Sequence, residues 1–311
     1  MSTAIVDDKS EHCIPFLLKL LESHKLKHGD DGNAPPFFVG LNGIQGAGKT
    51  VLVSTLRSTL SAAPYNLPTI TFSLDDIYLT HADQQQLAAV HPNNPLLQHR
   101  GQPSTHDIAL GSKVFDSLRR NKPTQIPSYD KSAFNGQGDR APEDTWETVN
   151  DIRNGQSLVR VVIFEGWCVG FRPRPEAEIR AEWEDAVRRR ECDSSYDGQL
   201  GDVKLEDVMA INKALEKYDA FTSDAENTHD VYYWRQQQEQ TLLEVKGKGM
   251  TPDQVTKFVN GYYPSYELYT NQLRDGVFNP TDKMNDEKAW KGRQLRLIVD
   301  KQRKVKKVIT I

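Results

Sequence analysis

The chain has 311 residues, 39 Lys+Arg against 43 Asp+Glu and a formal net charge of −4, which gives no support to a nucleic-acid partner held by bulk electrostatics. Hydrophobic residues make up 37% and the mean hydropathy is −0.63, values of a soluble globular protein, and no apolar run approaches the roughly 18 residues that span a bilayer, so no membrane partner is expected. The three cysteines, Cys13, Cys168 and Cys192, are odd in number and lack metal spacing, so reduced thiols are expected.

The first thirteen residues carry Asp7 and Asp8 and have neither the basic flank and apolar centre of a secretory signal nor an Arg-rich transit character. A cytoplasmic protein is expected, with the nucleus as an alternative. An N-terminal helix is expected over 11–27, its amphipathic pattern over 14–26 with Ile14, Leu17, Leu18 and Leu21 on one side and Pro15 tolerable in a first turn of that pattern. A Gly/Asp/Pro connector then leads to the apolar run Phe37–Leu41.

Directly after that run stands GIQGAGKT, Gly43 to Thr50, which matches G-x-x-x-x-G-K-[ST] between a strand and a helix. In such a loop the glycines let successive backbone N–H groups face phosphate oxygens, and the following helix adds its positive end. The nucleotide-binding residues are therefore Gly43, Ile44, Gln45, Gly46, Ala47, Gly48, Lys49 and Thr50. Lys49 is expected to reach the β- and γ-phosphates of ATP, and Thr50 to hold Mg²⁺.

The helix after the loop shows Val53, Leu56 and Leu60 on one face and stops before Pro64; a second strand over about 69–74 ends in Asp75 and Asp76. In open parallel sheets ligands bind at the carboxyl ends of strands, so these aspartates are placed to take a hydroxyl proton or, for Asp75, to enter the Mg²⁺ shell. Residues 83–120 read as two helical pieces broken around 91–95, and 121–148 as a turn-rich stretch. A third strand over about 158–164 delivers Glu165 to the same edge as catalytic and metal partner. Beyond it lies a charged segment over about 172–202, a mobile lid or a surface insertion, with Arg172 and Arg174 at its start. Helices near 203–220, 230–246 and 252–263 follow; Arg235 joins the lid candidates, with Glu239 at i, i+4 as a plain salt-bridge alternative. Two short strand-like runs, 294–300 and 305–311, close the chain. Strands alternating with helices give an α/β P-loop NTPase three-layer sandwich with a mainly parallel sheet, a lid or insertion and a helical C-terminal part, in one kinase domain over 1–311.

Two further polar segments contain cations: NPLLQHRGQPSTHD with Arg100, His106 and Asp107, and IPSYDKSAFNGQGDR with Tyr129, Asp130, Lys131, Asp139 and Arg140. Such loops suit a small anionic acceptor, since Arg holds a carboxylate bidentately, although on the residues alone a solvated polar loop is the favoured reading of the second segment and helix capping by Ser104 or Thr105 is the alternative for the first. Taken with SLDDIYLT, FEGWCVGF and YYWRQQQE, these blocks resemble the eukaryotic D-glycerate 3-kinase family, from about residue 37 to 275. The resemblance implies a fold like uridine kinase, phosphoribulokinase and pantothenate kinase, ATP and Mg²⁺ as cosubstrates, and Arg100, Lys131 and Arg140 as acceptor-binding residues. It departs from the plant members in a longer charged segment between Phe171 and Val203, and in the expected lack of a transit peptide.

Three functions compete at this point. A small-molecule kinase would act on D-glycerate or on another acceptor such as a nucleoside or pantothenate. A nucleotide-dependent switch or motor lacks its signatures: Asn121-Lys122 and Asn212-Lys213 do not continue into N-K-x-D, and Phe164 stands where motors carry an Asp before the Glu. A silent binding protein would not need Lys49, Thr50, Asp75, Asp76 and Glu165 together. The oligomeric state is left open.

Overall fold

The computed structural model of the protein describes residues 7–29, 33–218, 237, 250–276 and 292–311. In chain order the elements are α1 (Ser10–His28), β1 (Phe37–Asn42), α2 (Lys49–Ser61), β2 (Thr69–Ser73), α3 (His81–Val90) and α4 (Ile108–Arg119). Short strands β3 (Thr124–Ile126), β4 (Tyr129–Asp130), β5 (Asp139–Arg140) and β6 (Glu147–Val149) precede β7 (Val161–Gly166). Then come α5 (Glu176–Cys192), α6 (Leu205–Ala214), α7 (Pro252–Asn260), α8 (Tyr263–Asp275) and the hairpin β8 (Leu295–Val299) and β9 (Val305–Thr310).

β7 runs between β1 and β2 and is parallel to both. Side chains alternate across a strand, and here both faces are covered, so the strands read as nearly continuous apolar runs. On one face Val161 and Ile163 of β7 and Leu41 of β1 pack with Leu17 and Leu21 of α1 and Leu52, Val53, Leu56 and Leu60 of α2. On the other, Val162, Phe164 and Phe72 meet Phe115, Val114 and Leu118 of α4. Helices on both faces of a parallel sheet make the α/β three-layer arrangement expected of this chain. Among the described residues no helix is long and apolar enough to cross a membrane, and all three cysteines are free thiols.

Several boundaries differ from the sequence reading for identifiable reasons. α1 begins earlier because the Asp7 carboxylate accepts the N–H groups of Lys9 and Ser10 at 2.9 and 3.3 Å, which moves Pro15 out of the first turn and into the helix. β2 ends at Ser73 because a capping box between Ser73 and Asp76 turns the chain into a 3-10 turn over Leu74–Ile77. β7 starts three residues late because the segment before it is committed elsewhere: Val159 N–H donates to Asn150 Oδ1 and Arg160 N–H to Pro68 O. The turn-rich stretch forms two small antiparallel pairs, β3 with β6 and β4 with β5. The charged segment holds α5, whose Ile179 and Ala186 are buried. The reading of 252–263 as one helix missed α8, which starts with Pro264 in its first turn and buries Tyr266 and Tyr269 against Trp167 and Phe171. The helix expected over 230–246 lies outside the described residues, apart from residue 237.

One buried polar side chain joins the sheet to the segment after it. Asn42 is 2% exposed, and its Nδ2 donates to Trp167 O at 3.0 Å and Val169 O at 2.6 Å. An apolar replacement would leave those carbonyls without this donor, at a cost of about 1–3 kcal/mol for each orphaned group. Asn42→Leu is expected to lower unfolding stability by about 2 kcal/mol or more; denaturant midpoints equal to wild type would show that Asn42 does not hold this junction.

Candidate functional site

The loop between β1 and α2 owes its shape to two glycines. Gly46 and Gly48 have φ of 82° and 92°, in the left-handed region that other residues avoid, and Gly48 is the N-cap of α2. Ala47 N–H bonds Ile44 O at 3.2 Å, and Gln45 N–H donates to the Tyr266 hydroxyl at 3.3 Å. Lys49 and Thr50 are the first two residues of α2. The Lys49 ammonium lies back across the loop, donating to Gly43 O and, at 3.2 Å, to Ile44 O. Burial pulls it below the usual lysine range, against the attraction of Glu165 and Asp75. A helix N-terminus, loop amides and a desolvated cation together form an anion cradle.

Strand register brings acids to the same edge. Leu41 and Ser73 both stand opposite Glu165, and Asn42 opposite Gly166, so β1, β2 and β7 end in line. The Ser73 hydroxyl donates to Glu165 Oε1 at 2.6 Å and accepts from the Asp75 N–H at 3.2 Å. The two aspartates then separate. Asp76 turns back, its Oδ2 accepting the Ser73 N–H at 3.0 Å, and burial pushes its carboxyl up to about 6. Asp75 bonds the Lys131 ammonium at 2.5 Å. Burial works to raise the Asp75 carboxyl, but Lys131 outweighs it and holds the group well below the usual carboxylate range.

The other cations divide between the rim and the interior. Arg100 donates to the carbonyls of Gly136, at 2.6 Å, and Gln137, and lies 5.7 Å from the Tyr129 ring centroid, so it ties two polar loops together. Arg140 bonds Tyr78 O at 3.0 Å and Asp107 Oδ2 at 3.1 Å, while Asp107 caps α4 through the Leu110 N–H at 2.9 Å. Arg174 pairs with Glu178 and Glu182 of α5 and donates to Leu268 O, so it fastens α5 to α8. Arg172 lies between β7 and α5, and Arg235 lies outside the described residues.

Behind Asp75, the His106 ring stacks on Tyr78 with centroids 4.5 Å apart, and its Nδ1 meets the Tyr218 hydroxyl at 2.9 Å. That hydroxyl also accepts the Ser104 N–H at 3.2 Å. Burial lowers His106 to about 3, so the ring is neutral. Its Nε2 and the Arg140 Nε have no hydrogen-bond partner among the described residues.

Thr50, Glu165 and Asp75 offer hard oxygen donors beside the loop, a set that fits Mg²⁺. Among the described residues no group of three or more His, Cys, Asp or Glu gathers into an all-protein metal cage. Sequence reading missed Ser73, Asn42 and Tyr266, and it missed Arg303, whose Nε donates to Gly46 O at 2.6 Å. Only the strand ends adjoining Ser73 and Asn42 gave any sequence signal; nothing local marked Tyr266 or Arg303.

The raised Asp76 carboxyl predicts a pH signature. A group that binds its proton more tightly folded than unfolded contributes stability that is full below its unfolded value near 4 and is lost as pH rises through about 6. Asp76→Asn keeps an oxygen for the Ser73 N–H and removes the titration. Relative to wild type, this variant should therefore gain thermal stability between pH 4 and pH 7; a Tm difference that stays flat over that range would contradict the assignment.

The chain matches no protein-family model. It is 38% identical over 277 residues to the uncharacterized kinase mug58 of Schizosaccharomyces pombe, covering 87% of this chain and 92% of that one. It is 34% identical to the probable ATP-dependent kinase TDA10 of Saccharomyces cerevisiae, over 86% of this chain and 89% of the relative. The solved structure of the D-glycerate 3-kinase from Cryptococcus neoformans superposes with a TM-score of 0.83 at 31% identity, over 98% of this chain and 100% of that one. A phosphate loop at the end of β1, acids at the ends of β2 and β7 and relatives matched over nearly their full length agree: the chain belongs to the D-glycerate 3-kinase family of P-loop kinases.

Proposed function

We propose that the protein transfers the γ-phosphate of ATP to a hydroxyl of a small hydroxy acid, D-glycerate, giving 3-phosphoglycerate. The observation that carries this reading is the Asp75–Lys131 pair beside Lys49, a carboxylate and a cation of opposite roles at the mouth of the phosphate loop. The name of the Cryptococcus relative supports the same acceptor.

In this reading the loop amides and Lys49 hold the β- and γ-phosphates, and Asp75 receives the acceptor hydroxyl. Lys131 is half-exposed and can exchange its partner, leaving Asp75 for the acceptor's carboxylate. An Asp75 oxygen is then released to orient the hydroxyl and take its proton as the acceptor oxygen bonds to the γ-phosphorus and the bond from that phosphorus to the β,γ-bridging oxygen breaks, releasing ADP. Asp76 is tied to the Ser73 N–H and shapes the turn that aims Asp75. The neutral His106 and the anchored Arg100 and Arg140 frame the acceptor side. Mg²⁺, when bound by Thr50 and Glu165, neutralises charge on the β- and γ-phosphates. Transfer of this kind asks for positioning and charge neutralisation, and each needed group is within this constellation. The whole chain serves as one kinase domain whose partner is the small acid.

Coupled ADP-release assays over D-glycerate, uridine and pantothenate test the proposal. D-glycerate should turn over fastest, Lys49→Ala should abolish turnover, and Asp75→Asn should lower kcat by about 10²–10⁴. Asp76→Asn should stay within about tenfold of wild type, since it removes no general base. Inertness of D-glycerate where uridine or pantothenate reacts would overturn the acceptor assignment, and near-normal kcat in Asp75→Asn would remove Asp75 from its role.

A further inference from the structure

Arg303 lies in the turn between β8 and β9, 257 residues along the chain from the loop residue whose carbonyl it binds. That turn is firmly built. The Arg303 N–H donates to Asp300 O at 2.8 Å, and Asp300 Oδ1 accepts the N–H groups of Gln302 and Lys304, each at 2.9 Å. Arg303 itself has φ of 64°, a left-handed conformation that a non-glycine residue keeps only where its surroundings impose it. The turn is also fastened to the start of α1: Lys9, 6% exposed, donates to Arg303 O at 2.7 Å, and Asp8 Oδ2 accepts the Val305 N–H at 2.9 Å. A second guanidinium nitrogen, Nη1, donates to Gln237 Oε1 at 2.8 Å.

The peptide unit gives this contact its consequence. A trans peptide is planar, so fixing the Gly46 carbonyl from outside the loop fixes the Ala47 N–H on the opposite side. That N–H closes the loop's inner turn onto Ile44 O. The 46–47 peptide is thus held at both ends, directly before Gly48 and Lys49. The guanidinium also adds a positive charge beside an anion site. We propose that Arg303 is a positioning residue for a nucleoside di- or triphosphate, holding the loop in its phosphate-accepting shape through Gly46. The proposal rests on Gly43–Thr50 being the nucleotide loop and is independent of which acceptor is phosphorylated.

Calorimetric titration of the full chain with ADP tests it, alongside steady-state kinetics with whichever acceptor turns over. Arg303→Met should weaken ADP binding about tenfold and raise the KM for ATP by a similar factor. The KM for the acceptor should stay within about twofold, and Arg303→Lys should fall between Met and wild type because its ammonium can reach the carbonyl without the fork. A merely structural role would lower Tm and the active fraction while leaving ADP affinity unchanged. Unchanged ADP affinity in Arg303→Met, with binding lost in Lys49→Ala, would overturn this proposal alone. Normal ADP binding by Lys49→Ala would overturn the loop assignment and the proposal together. Should Arg303→Met not yield folded protein, Arg303→Lys carries the test, and an ADP affinity equal to wild type overturns the proposal.

Discussion

Everything at the site depends on the parallel pairing of β7 with β1 on one side and β2 on the other. Parallel neighbours in register deliver their carboxyl ends to one edge, and the turn after each strand is then a matter of local chemistry. After β1 the chain turns on Gly46 and Gly48 into α2; after β2 it turns on Ser73 into a 3-10 turn; β7 carries Glu165 there directly. The pairing is secured by burial, with Val162 and Ile163 fully enclosed between helical layers, so register slippage would expose an apolar face.

Ser73 converts that shared edge into a differentiated one. Its hydroxyl links Glu165 to the Asp75 backbone, while its own N–H takes the Asp76 carboxylate. Two adjacent acids thereby acquire opposite electrostatics. Asp76, enclosed and bonded to one amide, keeps its proton up to about 6, whereas Asp75 is kept ionised by Lys131. Lys131 comes from the loop after β4, so the acid–base character of the β2 end is set by a residue 56 positions away. The neighbouring His106 is kept neutral by burial and therefore adds a directional polar group without competing for the charge of Asp75.

The cationic segments are less uniform than their composition suggests. Lys131 reaches the acids, Arg100 braces the loop around Gly136, and Arg140 and Arg174 are engaged in internal ion pairs. Half-buried arginines with fixed carboxylate partners hold segments together, and their replacement would disturb shape as well as charge. α5 illustrates the same point at larger scale: a segment dense in Arg and Glu is a helix with one buried edge, joined to α8 through Arg174.

The sequence by itself determined the loop, the alternation of strands and helices, and the placement of Asp75, Asp76 and Glu165 at strand ends, because these arise from short-range rules: glycine conformation, side-chain period and the chemistry of a strand-to-helix turn. Tertiary structure alone decided the division of labour. Which aspartate is paired, which arginine is internal and which distant residue touches the loop depend on approaches between segments far apart in the chain. Lys131 at Asp75, Tyr266 at Gln45 and Arg303 at Gly46 carry no local signal, since a lysine, a tyrosine or an arginine in a polar stretch looks the same whether it ends in solvent or in the site. Folding chooses among them through the burial of faces that sequence spacing cannot bring together.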